Sequence, residues 1–148
     1  MVTASSGYIQ VVAPMILGKP PAIFREMVEL SRACFDAVLG TMKPGATFGE
    51  LQDVYAGLVE RAGNGRFSTG IPLMHARGLG DDGPALLRRA DLDTYRKIPL
   101  EEGMTFILKP RIVEVDGKER TSIGDTVAVT ATGAKRLGRR PLELLVLD

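Results

Sequence analysis

The chain has 148 residues, 45% of them hydrophobic and 25% charged, a balance that fits one compact domain and excludes a disordered or fibrous chain. A net charge of +1, 5% aromatic residues and no tryptophan argue against nucleic acid or an anionic membrane surface as a partner. The single cysteine, Cys34, excludes an internal disulfide and fits a reducing compartment; with no basic, apolar leader at Met1–Tyr8, the expected location is the cytoplasm.

In chain order, Tyr8 to Leu17 is rich in apolar and β-branched residues and reads as a strand ending at Gly18, with Pro14 marking an edge or a bulge. This run is too short to span a bilayer. Because the chain opens inside a strand, the domain is expected to have its beginning elsewhere. Lys19-Pro20-Pro21 then launches a helix whose apolar face is Phe24, Met27, Val28, Cys34, Phe35, Val38, Leu39 and Met42, and Lys43-Pro44-Gly45 stops it. Thr47 with Glu50 forms a capping box for a second helix with Leu51, Val54, Tyr55, Leu58 and Ala62 on one face, ended by Gly63-Asn64-Gly65.

A short apolar run, Ile71-Pro72-Leu73-Met74, precedes His75 and a loop with Gly78, Gly80, Asp81, Asp82, Gly83 and Pro84; residues 85–100 are charged and read as a surface excursion. Met104 to Val115 reads as a long strand, Asp116-Gly117 as its hairpin turn, and Glu119 to Thr130 as the returning strand. Thr132-Gly133 turns again, and Leu142 to Leu147 is a candidate last strand. Strand, two helices, strand and long hairpin make an α+β pattern, expected to form a mainly antiparallel curved sheet with both helices packed on one face.

Five of these segments resemble, in order, the motifs of the pita-bread superfamily of methionine aminopeptidase, prolidase and creatinase. They are Gly7-Tyr8 through Leu17-Gly18, Lys43-Pro44-Gly45, Met74-His75-Ala76-Arg77-Gly78-Leu79-Gly80, Glu102-Gly103-Met104-Thr105-Phe106-Ile107-Leu108-Lys109-Pro110 and Ile123-Gly124-Asp125-Thr126-Val127-Ala128-Val129-Thr130. The resemblance covers nearly the whole chain. It implies the C-terminal part of that domain, with residues 1–18 as the last strand of the first half and 19–148 as the second half.

Metal-dependent members of this superfamily hold two metal ions with two Asp, one His and two Glu, hard oxygen ligands that activate water. The resemblance places the first Asp before this chain. It places Gln10 near the second Asp, His75 at the His, Lys109 at the Glu of Ile-Glu-Pro and Gly124 at the Glu of Ile-Glu-Asp-Thr. An amide, an ammonium and a bare backbone replace three carboxylates, so a dinuclear site and any cofactor are not expected.

Each remaining candidate has a plain alternative. Lys109 shares strand parity with Thr105, Ile107 and Arg111, a face that the resemblance turns into the cavity, with Gly124 expected to leave space beside it; the alternative is a solvent-facing lysine. His75, the only histidine, is a proton shuttle or a structural side chain. Asp82, seven residues after His75, faces a substrate or belongs to a solvated Asp-Asp-Gly-Pro turn. Cys34 reads as core, and Lys135, Arg136, Arg139 and Arg140 as a solvated basic surface.

Three functions remain open. One is a metal-independent hydrolase of a C–N bond in a small molecule or peptide, with His75 catalytic and Lys109, Arg111 and Asp82 binding substrate. Another is a non-catalytic module binding a carboxylate-bearing ligand on the same residues. The last is a half-domain completed by a second chain, as a homodimer or with a separate N-terminal half, since free strand edges and apolar faces associate.

Overall fold

A computed structural model describes residues 9–70, 73–76 and 93–148. Two helices lie against one face of a curved, mostly antiparallel sheet system. Helix α1, Ala22–Thr41, starts at Pro21, whose fixed φ suits a helix entrance and whose missing N–H costs nothing there. Helix α2, Phe48–Gly63, has the reciprocal cap expected of its sequence: the Thr47 hydroxyl accepts from the Glu50 amide and the Glu50 carboxylate accepts from the Thr47 amide. Its far end closes on Asn64 in the left-handed conformation, φ 46°.

The stretch expected to be one strand from Tyr8 to Leu17 divides at Pro14. Strand β1, Val11–Val12, and strand β2, Met15–Leu17, belong to different sheets. Proline donates no ladder hydrogen bond, and here its own carbonyl accepts from Leu145. Strand β3, Phe67–Gly70, has no alternating pattern in the sequence and was not anticipated; strand β4, Met74–Ala76, follows it.

The predicted long hairpin is present but bent into two parts. Strands β5, Thr105–Leu108, and β6, Arg111–Glu114, descend; β7, Arg120–Ser122, and β8, Gly124–Thr130, return. Leu108 pairs with Asp125 and Arg111 with Ser122, so two residues on each strand lie between the two pairs and the register passes through the bend without an insertion. Above the bend β4 and β5 join β8, with β1 and β9 (Gly133–Arg136) on its other edge; below it β3, β6 and β7 form a second sheet. Strand β10, Leu145–Leu147, pairs in parallel with β2 as a separate ribbon, an exception to the antiparallel rule.

Met27, Cys34, Phe35, Val38, Phe48, Leu51, Tyr55, Met74, Phe106, Leu108, Ile112 and Val127 are buried in one core between helices and sheets. Each large side chain buried here contributes about 1.5–3 kcal/mol by area alone. Phe48 meets Phe106 edge to face at 5.5 Å between ring centroids, tying the start of α2 to β5.

Candidate functional site

Side chains alternate along a strand, so the core positions Phe106, Leu108 and Ile112 send Thr105, Ile107, Lys109 and Arg111 to the opposite face. The register brings His75, Ile107 and Thr126 side by side across β4, β5 and β8 on that face. Lys109 comes one step farther along and Arg111 one step farther again, between Gly70 and Ser122. The parity read from the sequence puts Lys109 and Arg111 on one surface with Ile107, and the pairing of β4 with β5 brings His75 to it. Asp82, with Asp81 beside it, lies outside the described residues.

His75 is buried, and its Nδ1 lies 3.1 Å from the Ala76 carbonyl. A carbonyl only accepts, so in that contact Nδ1 is the donor. Next to it, the Thr126 hydroxyl donates to the Gln10 carbonyl at 3.0 Å and accepts from the Gln10 amide at 2.8 Å. Thr126 thus anchors the entering chain across the site.

Gly124 was expected to leave room beside Lys109. The structure fills that room with backbone. A Cβ on Gly124 would come within 2.6 Å of the Lys109 Cβ and 2.7 Å of the Leu108 carbonyl oxygen. Glycine is therefore what lets β8 approach β5 at the bend, and Lys109 meanwhile donates its amide to the Leu73 carbonyl at 2.8 Å.

Ser31, which sequence reasoning assigned no role, holds the same bend from the helix side. Its buried hydroxyl donates to the Pro110 carbonyl at 2.6 Å and accepts from the Ile123 amide at 2.9 Å. Tyr55 does the equivalent one step below. Its hydroxyl donates to the Arg111 carbonyl and accepts from the Gly70 amide at 3.1 Å, and burial pushes its phenol well above the ordinary range. Their one sequence signal was position on the sheet-facing sides of the two helices.

Asp125, between Gly124 and Thr126, points the other way and is fully buried. It accepts from Arg136 Nε at 2.9 Å and from the Thr126 amide at 2.7 Å. This assigns Arg136, expected on a solvated basic surface, a partly buried ion pair that fixes β8 to the end of β9. Cys34 is buried as expected, and desolvation pushes its thiol up to about 12.

A pair of divalent cations requires several hard oxygen donors converging on one point. The face around His75 offers a threonine hydroxyl already bonded to Gln10, a glycine and a lysine. Among the described residues there is no group of three or more His, Cys, Asp or Glu able to hold a metal ion. The described donor set does not fit the dinuclear centre that the superfamily resemblance implies. Among the described residues, no helix is long and apolar enough to cross a membrane.

Comparison with known proteins agrees with the geometry. Residues 3–131 match the model of metallopeptidase family M24. The Xaa-Pro dipeptidase of Pyrococcus furiosus is 28% identical over 131 residues, 88% of this chain and 36% of the relative. The X-Pro aminopeptidase of Thermotoga maritima superposes with a TM-score of 0.74 at 26% identity, over 88% of this chain and 35% of that one. The dipeptidase PepE of Mycobacterium ulcerans, with a TM-score of 0.78 at 22% identity over 97% of this chain and 37% of its own, shares the fold. The chain spans about a third of the length of the curated relatives it matches. With its pita-bread topology and this match over most of its length, the chain belongs to metallopeptidase family M24.

Proposed function

We propose that this peptidase-like domain engages a carboxylate-bearing peptide or small molecule through Lys109 and Arg111, without a dinuclear metal centre. His75 Nε2 is the proton-transfer group for any C–N hydrolysis that accompanies binding. The observation that carries the reading is the run of His75, Lys109 and Arg111 along one sheet face, on which no carboxylate side chain stands among the described strand residues. Two cations on successive same-face positions suit an anionic end group, and an arginine fork suits a carboxylate. Xaa-Pro dipeptides, the substrates named for the relatives, carry such a terminus.

The test uses Gly-Pro, purified protein and added manganese, cobalt or zinc. Metal content stays well below one equivalent, hydrolysis does not rise with metal, and Gly-Pro binding weakens in Lys109→Met. Stoichiometric metal with metal-stimulated cleavage refutes the reading. Cleavage without metal that is lost in His75→Ala assigns hydrolysis; binding without cleavage assigns a non-catalytic module.

A second reading concerns association. The parallel ribbon of β2 and β10 exposes Met15, Leu17, Val146 and Leu147, and a two-stranded parallel sheet is ordinarily covered. This favours a half-domain completed by a second chain, as a homodimer or with an N-terminal half. A monomer in sedimentation equilibrium at tens of micromolar rules out the homodimer.

A further inference from the structure

We infer that Gly70 and Tyr55 are positioning residues that set the direction of Arg111 and so determine preference for a carboxylate terminus. The inference rests on the binding reading above and adds to it two residues outside the cationic set.

Gly70 is the cross-strand partner of Arg111. A Cβ at Gly70 would lie 2.9, 2.6 and 2.8 Å from the Cβ, Cγ and Cδ of Arg111. Three consecutive carbons of the arginine stem therefore lie down across β3 instead of standing off the sheet. Any side chain at position 70 would displace them, because the contacts are with the near end of the arginine, whose Cβ is fixed by the backbone, and not with its far tip. From the helix face, the Tyr55 hydroxyl bonds the Gly70 amide and the Arg111 carbonyl, and so locks the same residue pair in register. The stem is seated on one side of the sheet and the backbone pinned from the other. A guanidinium recognises a carboxylate by two parallel N–H donations, which demand a set plane and angle; a point charge on a loose stem does not. Gly70 and Tyr55 supply that constraint without touching the ligand.

The test compares Gly-Pro with Gly-Pro amide, which lacks the carboxylate, on the full chain. Wild type prefers Gly-Pro by roughly tenfold, Gly70→Ala and Arg111→Met each lose that preference, and Tyr55→Phe loses part of it. In the Arg111→Met background, Gly70→Ala has no further effect on the preference, because the glycine acts through the arginine. Far-UV circular dichroism establishes that each variant is folded. The order of the Arg111 Nε–Hε bond by NMR relaxation falls in Gly70→Ala, a readout independent of ligand. Wild type that fails to prefer Gly-Pro overturns the carboxylate-binding reading itself. Wild type that prefers it, while Gly70→Ala keeps both the preference and the Arg111 order, overturns this inference alone. Additive losses in the double variant also overturn it, since they mean that Gly70 acts on the fold at large.

Discussion

Replacing Ser31 with alanine removes a hydroxyl that joins α1 to the bend of the hairpin. In the folded chain it stands between the Pro110 carbonyl and the Ile123 amide, at 2.6 and 2.9 Å, fully buried. The alanine supplies neither donor nor acceptor, so two buried backbone groups lose their partners. Each such loss costs about 1–3 kcal/mol, and part is recovered if the carbonyl and amide close on one another, which gives an expected destabilisation of about 2–4 kcal/mol. Closing the gap would straighten the bend and shift Lys109 and Arg111, which flank Pro110 on either side. Urea unfolding measures the stability, with an unchanged m-value showing that the unfolded state is unaffected. Amide exchange at Ile123 reports the bend directly. A loss under about 0.5 kcal/mol with the Ile123 amide still protected would mean that the serine does not hold the bend.

Gly124→Ala should cost about 2–3 kcal/mol, because its Cβ meets a backbone carbonyl and cannot be relieved by a rotamer change; calorimetry showing an unchanged Tm contradicts this. Asp125→Ala should cost about 2–4 kcal/mol by stranding Arg136 and the Thr126 amide, with amide exchange rising first in residues 133–140; uniform exchange would argue against a local latch. Cys34 has a folded thiol pushed by burial from 9.0 to about 12. The folded state therefore holds its proton more tightly, and the resulting stability is complete below pH 9 and declines as pH rises toward 12. Cys34→Ala flattens that part of the pH profile, and an unchanged slope there refutes the assignment. Native Cys34 should also resist alkylation at pH 8 until urea unfolds the chain.

The helices were legible because their signals are local. Prolines at Lys19-Pro20-Pro21, a capping box three residues apart and Gly63-Asn64-Gly65 all act within one or two turns. The face shared by Ile107, Lys109 and Arg111 was also legible, since parity needs only the period of a strand, whereas His75 joins it only through the pairing of β4 with β5. What could not be read depends on residues far apart in sequence. Ser31 meets Pro110 across 79 positions, and Tyr55 meets Arg111 across 56. Phe67–Gly70 lacks both length and alternation, and becomes a strand only because β6 lies beside it. The division at Pro14 was signalled by the proline, but not the parallel pairing of the second piece with β10, since the partner is near the other end of the chain.

The Gly124–Lys109 contact bears on how a metal-ligand position can change. Viewed as an alignment, glycine in place of a glutamate is a ligand deleted and nothing more. In this backbone the glycine is occupied space: the Lys109 Cβ and the Leu108 carbonyl stand where a Cβ would go. Returning a glutamate to position 124 therefore demands that β8 retreat from β5, which strains the register held by Leu108 and Asp125 above and by Arg111 and Ser122 below. It also brings a carboxylate beside a lysine, which favours an ion pair over an open metal ligand. The two substitutions are thus coupled through backbone geometry as well as charge. Gly124→Glu alone should lower stability without creating metal affinity, whereas Gly124→Glu with Lys109→Glu removes the competing ammonium but keeps the backbone conflict. If isothermal titration shows that the single variant binds manganese tightly at undiminished stability, β8 is free to move and the two positions are not coupled.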